Sequence, residues 1–480
     1  MKQMKRIMRL VLAGLLTAVS VSAAEPNTLY FMKYLPYRMR MNPALQPVCG
    51  TFVELPGIST IQVSAGNNAL SMNDAVYLND QKQMVTALHP DFGNRELLYA
   101  KLKRNERVYA EASLTVLGFG SRIAERGYFD FNVSVRADAN VTVPRDLLKF
   151  ALYGTPDTVG VNRYKLKSLA VEANAYLDLG GGYSHRINEH WSVGGRAHLL
   201  LGVANARARF SDLNINATSD YWQVVGAGKA TVSMPSFKVD IDDEGHITKG
   251  GMETTDVDDI LRNYEPSLGF AVDLGFEYKP VKSLSLSFSL KDVGFMSWQN
   301  ATVAEGDIDY TFDGMAYRYN RNDMQQYGDS LAEAFRKSYV YSAETKRYFT
   351  LMNAKMYAAV EYSFLKDKMS LGLLSKTELV SGKLYEEITA AYNIRPCRWF
   401  GISASYSFFS GGFSSMGLGL NVRLTPFSFY LVGDYMPLHY TEQGIPYRAQ
   451  AFNLQTGIVL TIGCKNKKFV PYFEQTDFAD

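Results

Sequence analysis

Along much of the chain apolar and polar residues alternate one for one. From Leu268 to Tyr278, Leu268, Phe270, Val272, Leu274, Phe276 and Tyr278 fall on one face of an extended segment, and Gly269, Ala271, Asp273, Gly275 and Glu277 on the other, because successive side chains of a strand point to opposite sides. After a turn at Pro280 to Ser283, Leu284, Leu286, Phe288 and Leu290 alternate with Ser285, Ser287, Ser289 and Lys291. One face suits lipid and the other suits water. A sheet with that pattern crosses a bilayer only when closed into a barrel, where every backbone N–H and C=O is paired between strands.

The same period of two predicts strands near 51–66, 107–119, 128–139, 168–186, 190–211, 267–279, 282–292, 354–365, 369–377, 384–393, 399–408, 413–423, 427–435 and 450–463. The fold class is therefore all-β, a transmembrane antiparallel barrel of about 14 strands occupying residues 51–464. Connections alternate between tight and mostly long, which places both termini on the short-turn, periplasmic side. A soluble periplasmic sandwich would also alternate, but charges on its core face argue against it.

Polar residues on the inward face make up the lumen set: Asp130, Asn132, Arg136, Glu172, Asp178, Asp273, Glu277, Glu361, Asn421, Arg423 and Asp434. Either they form a polar network that holds the barrel's shape or they line a path. In the long connections, Pro144 to Tyr153 reads as a short helix with Pro first and Gly154 just beyond. Ser330 and Glu333 have capping-box spacing. Asp240, Asp242 and Glu244 open like a calcium loop, but Gly251 stands where a bidentate Glu is required, so a hairpin tip is the better reading.

Composition narrows the class. A net charge of +2 without a basic stripe gives no footprint for nucleic acid. Residues 1–24 read as a signal peptide, with Lys2, Lys5, Arg6 and Arg9 before an apolar run and Ala23 and Ala24 at the cleavage region. The expectation is an exported outer-membrane protein in contact with lipid. Cys49, Cys397 and Cys464 are too few for a disulfide framework, and Cys397 with Cys464 is the pair to check. No nucleophile elbow or metal-ligand spacing is found, so neither a catalytic residue, a metal nor a cofactor is expected. The protein is read as not an enzyme.

Between the signal and the first strand, Tyr30 to Pro47 is aromatic, basic and punctuated by Pro36, Pro43 and Pro47. It does not alternate, and its apolar surface needs cover. Residues 25–50 are therefore expected to plug the lumen, and 465–480 to form a periplasmic tail lacking the usual terminal aromatic. Asn42, Pro43 and Ala44 resemble the Asn-Pro-Ala box in the amino-terminal hatch of FadL-type long-chain fatty-acid transporters. The wider pattern, Leu35-Pro36-Tyr37-Arg38, Met41 to Ala44 and Leu55-Pro56-Gly57, is similar to an uncharacterised family of Bacteroidota outer-membrane barrels. The FadL resemblance implies a 14-stranded barrel binding or passing a small hydrophobic or amphipathic molecule between plug and wall. The alternative is a non-transporting barrel that serves surface or secretion partners.

Overall fold

The computed structural model describes residues 25–463 except 57–58, 69–73, 75, 79–82, 88, 90–91, 155–159, 236, 242, 244–246, 253–266, 313–338, 381, 410–413, 425, 437–438, 441–445 and 448–450. Fourteen antiparallel strands close on themselves. In chain order they are β1 (Thr51–Glu54 and Ile61–Asn67), β2 (Asn105–Ile123), β3 (Gly127–Pro144), β4 (Ala170–Arg186), β5 (Trp191–Phe210), β6 (Ser267–Val281) and β7 (Leu284–Phe312). The ring continues with β8 (Lys355–Phe364), β9 (Met369–Val380), β10 (Lys383–Cys397), β11 (Phe400–Phe409), β12 (Ser414–Leu424), β13 (Phe427–Met436) and β14 (Ala451–Ile462).

Closure occurs through β1. Thr51 lies opposite both Ile462 of β14 and Ser121 of β2, and Ile61 opposite both Thr456 and Leu114. Between its halves the ladder is interrupted at Leu55 and Pro56, the latter lacking the N–H that a central strand must donate. Gly50 accepts from Arg122 N at 2.8 Å, and Thr461 N donates to Pro426 at 2.7 Å, so both ends of the barrel emerge among the short turns.

The alternation maps onto the wall as an outward apolar face and a lumen face. Leu268, Phe270 and Leu274 are half exposed on the outside, whereas Ala271 and Asp273 are each only 1% exposed. Near the short turns the outer face carries aromatics, with Trp191 stacked on Tyr278 at 4.3 Å and Trp399 exposed, the girdle expected at a membrane interface.

Several expectations are corrected. The strand read as 282–292 runs to Phe312. It pairs with β8 from Leu284 to Lys291, then with Tyr339–Leu351 from Phe295 onward. A bulge at Asp292, whose φ is 56°, shifts the phase there and hides the continuation from a strict period of two. The interval 212–266 contains strands Asn214–Ala217 and Trp222–Ser233, and the latter pairs with the far half of β7. Together with Asn162–Lys165 they extend the barrel's own sheet, Trp222–Ser233 pairing also with the end of β5, and they pack around Tyr164, Ile215, Val224 and Tyr310.

The helix read from Pro144 is Arg145–Tyr153, with Pro144 as its N-cap and Gly154 at φ 65° closing it. Phe237–Ile241 and Ile247–Met252 form a hairpin. Cys397 is a free thiol and Cys49 is disulfide-bonded, so the pair read from the sequence does not form. The signal segment 1–24, the capping pattern at Ser330 and the tail 465–480 lie outside the described residues.

Candidate functional site

Among the described residues the largest buried apolar cluster lies inside the barrel, and residues 29–45 supply half of it. Leu29, Phe31, Leu35, Met39 and Met41 are each buried to 1% exposure or less. They pack with Tyr128, Tyr357, Leu374, Tyr430 and Val459 of the inward wall. Tyr37 lies against Tyr430 with ring centroids 4.8 Å apart, and Tyr30 stacks on Tyr357 at 6.0 Å. Burial raises the phenols of Tyr30 and Tyr37 above the usual tyrosine range, Tyr37 the more strongly.

Polar ties complete the seat. The short 3-10 turn Asn27–Phe31 has no side-chain cap of its own; Asp434 of β13 accepts from Asn27 N, Thr28 N and Thr28 Oγ1. Thr28 Oγ1 also meets Ser405 Oγ at 2.6 Å, and Asn27 Nδ2 donates to Thr389 at 3.0 Å. Arg40 pairs with Glu54 and donates to Thr115 at 3.0 Å. At the turn between β8 and β9, Lys33 Nζ reaches Asp367 at 2.6 Å and Glu361 at 3.4 Å. Burial works to raise Asp367, but the Lys33 and Arg395 cations outweigh it and hold the carboxyl at about 2.

Asn42 is fully buried in an extended conformation (φ −145°, ψ 109°), as Pro43 requires of the residue before it. Its Nδ2 donates to Tyr30 Oη at 3.0 Å and to the carbonyl of Phe288 at 3.2 Å, while Oδ1 accepts from Ala44 N at 3.0 Å. This close approach needs a wall without side chains. A Cβ at Gly275 would overlap Asn42 Oδ1, and one at Gly194 would overlap Pro43. Gly275→Val should therefore cost about 1–3 kcal/mol. Gly195→Val, where the nearest atom to a Cβ is 3.6 Å away, should cost far less. Urea unfolding of both variants in lipid vesicles measures the difference.

On the long-loop side of this segment the lumen holds a chain of alternating charges. Arg136 binds Asp292 through two hydrogen bonds of 2.9 and 3.0 Å and Asp178 through one of 3.3 Å. His198 lies between Asp178 (2.8 Å) and Asp273 (3.0 Å). Arg196 pairs with Asp130, hydrogen-bonds to Asn132 and lies 3.9 Å from Asp273. An imidazole with both nitrogens facing carboxylates donates from both only as the imidazolium. Two further ion pairs cross from β2 to the opposite wall, Glu111 with Lys355 and Arg107 with Glu378, each at 3.6 Å.

A cavity open to solvent lies between these groups and residues 25–40. Glu25 borders it, paired with Lys291. Burial works to raise Glu25, and Lys291 and Lys355 outweigh it, so its carboxyl titrates below the ordinary glutamate range. Much of the lining is charged or hydrogen-bonding; Met296, Leu351 and Met352 add an apolar side where β7 changes partner. Among the described residues no His, Cys, Asp and Glu cluster suits a metal ion.

Of the residues named from the pattern, Asp130, Asn132, Arg136, Asp178 and Asp273 meet in this network or its border. Glu172 is further out, 3.6 Å from Arg209, and Glu277 accepts from Ser285. Glu361 and Asp434 hold the N-terminal segment, while Arg423 covers Tyr34 at 4.7 Å and donates to Cys49 Sγ. Asn421 bonds Ser428 at 3.0 Å. Arg196, His198, Asp292, Lys355, Glu111 and Asp138 were not singled out. The first two stand on the inward phase of β5, so alternation alone could have placed them; Asp292 sits on the bulge and could not be phased.

A family model described as a family of unknown function, DUF5723, matches residues 43–434. No curated protein sequence matches the chain. Among solved structures, the toluene transporter TbuX of Ralstonia pickettii aligns over 92% of this chain and 98% of its own, at 9% identity and a TM-score of 0.40. The toluene transporter TodX of P. putida aligns over 88% and 92%, at 8% identity and 0.38. The monoaromatic hydrocarbon channel CymD aligns over 90% and 94%, at 8% and 0.41.

Proposed function

The chain belongs to that family, DUF5723, whose function is unknown, and we propose from its own geometry that it is an exported outer-membrane barrel that holds or passes small amphipathic molecules. In this reading residues 1–24 are a cleaved signal, residues 25–50 are the plug, 51–464 the barrel and 465–480 a periplasmic tail. The supporting observation is the cavity beside the buried N-terminal segment, with charged walls on one side and Met296, Leu351 and Met352 on another. An apolar probe alone would leave the charged side unanswered, which favours an amphipathic cargo over a purely hydrophobic one. Passage requires the segment to move, because its side chains pack against inward wall residues such as Tyr128, Tyr357, Tyr430 and Val459.

The second reading is a non-transporting barrel that presents its outer sheet to partners. The many ties on residues 27–42 favour it, since each must break before the segment can leave.

Two measurements test the first reading. Deleting residues 28–47 should open the barrel to ions in a planar bilayer; unchanged conductance would mean that the segment is not a plug. Because this deletion also removes core side chains, a lock is the companion test. Thr28 Oγ1 and Ser405 Oγ lie 2.6 Å apart, so Thr28→Cys with Ser405→Cys in a Cys397→Ser background should cross-link. The oxidised double variant should lose uptake of an amphipathic probe that the Thr28→Cys control keeps. Equal behaviour of the two, with the cross-link formed, would favour the static barrel.

A further inference from the structure

We propose that the cavity binds a small organic ammonium bearing an apolar tail, with its cation on Asp138 and Glu111. Glu111 of β2, Asp138 of β3 and Asn174 of β4 are direct cross-strand neighbours and all line the cavity, which sets their Cβ atoms about 5 Å apart in a row. The other lining carboxylates each have a Lys, Arg or His within 4.0 Å. Asp138 has none among the described residues. It accepts one hydrogen bond, from Asn174 Nδ2 at 2.8 Å, and an ionised carboxylate offers about four acceptor sites. Glu111 has its cation, Lys355, at 3.6 Å, beyond a normal hydrogen bond.

Unfilled hydrogen-bonding positions continue around this wall. Gln455 lines the same cavity at 2% exposure, and its Oε1 has no partner. Ser64, the cross-strand neighbour of Glu111 on β1, is 1% exposed with an unpartnered hydroxyl. Acceptors are thus in surplus next to a carboxylate without an ion pair among the described residues, and a group with several N–H donors and a positive charge answers both needs. Asp138 and Glu111 together disfavour an anion at this end of the cavity. The tail follows from the rest of the lining: Met352 packs on the buried cluster of Tyr176 and Met296, and with Leu351 it gives the cavity an apolar flank. Methionine adapts to varied shapes, which suits a flexible chain.

The proposal rests on the barrel's holding small amphipathic molecules, but its test is separable from transport. Isothermal titration of n-hexylamine, hexanoate and 1-hexanol into the full-length folded barrel in detergent should show hexylamine binding at least about tenfold more tightly than the other two. Asp138→Asn, nearly isosteric and able to keep its Asn174 contact, should weaken hexylamine by about tenfold or more and leave 1-hexanol unchanged. Glu305→Gln, on an exposed side chain, should change neither. Should Asp138→Asn fail to fold, Glu111→Gln is read in its place, and the ranking of the three probes on the unaltered protein decides by itself. Hexanoate binding as tightly as hexylamine, or hexylamine indifferent to the folded variant, overturns the proposal. Hexylamine binding without movement across vesicles upholds it and counts against transport. Uptake of amphipathic probes with no preference for the amine does the reverse.

Discussion

Replacing Arg196 by Met should destabilise the barrel by about 3–5 kcal/mol, the range for removing one partner of a buried ion pair. The Arg196 side chain is 1% exposed, pairs with Asp130, hydrogen-bonds to Asn132 and approaches Asp273 to 3.9 Å. Met fills much of the same space, so the loss is chiefly electrostatic. Asp130 would be left buried with no cation, and one of its oxygens already lacks a partner. Arg196→Lys should fall between, because an ammonium keeps the charge but cannot span Asp130 and Asn132 as a planar fork does. Urea titrations of the three proteins in vesicles give the ranking. A cost for Met below about 1 kcal/mol, the level of an exposed pair, would mean that water reaches Asp130 and screens it.

That network also marks how far the sequence could be read. Alternation recovers the strands because it is a local signal: Leu268 and Asp273 lie on opposite faces whatever the rest of the chain does. The count of fourteen and the position of both ends follow from it. It fails where the period slips, as at Asp292, or where a strand changes partner, as β7 does beyond Lys291 when Tyr339–Leu351 replaces β8. The partners of inward residues are not local at all. Arg136 and Asp292 are 156 positions apart, and Asn27 and Thr389 are 362; nothing in either neighbourhood names the other. The same holds for Gly275, which reads as one more small residue of a strand until Asn42 is seen against it. The side on which a residue points is legible in the sequence. What it meets there depends on the curvature of the closed wall and on the segment packed inside.

The facing of β12 sets the second large effect. Leu420 is the seventh of eleven residues in the strand and 40% exposed, opposite Ile402 on one side and Leu431 on the other. Arginine there would place a charge in the lipid band, at a cost of about 2–4 kcal/mol near the midplane. The next residue, Asn421, points inward at 3% exposure and donates to Ser428 Oγ at 3.0 Å and to the carbonyl of Phe429 at 3.3 Å. Asn421→Ala removes those bonds without moving a charge, so it should cost about 1 kcal/mol. Folding into vesicles of varied thickness sharpens the comparison: a thicker bilayer puts position 420 further from either interface and should raise the arginine penalty, while the Asn421 variant should not respond. If the two substitutions ranked the other way, β12 would be shifted by one residue. Its whole lumen face, with the seat that Gly417 leaves for Thr28, would then face lipid.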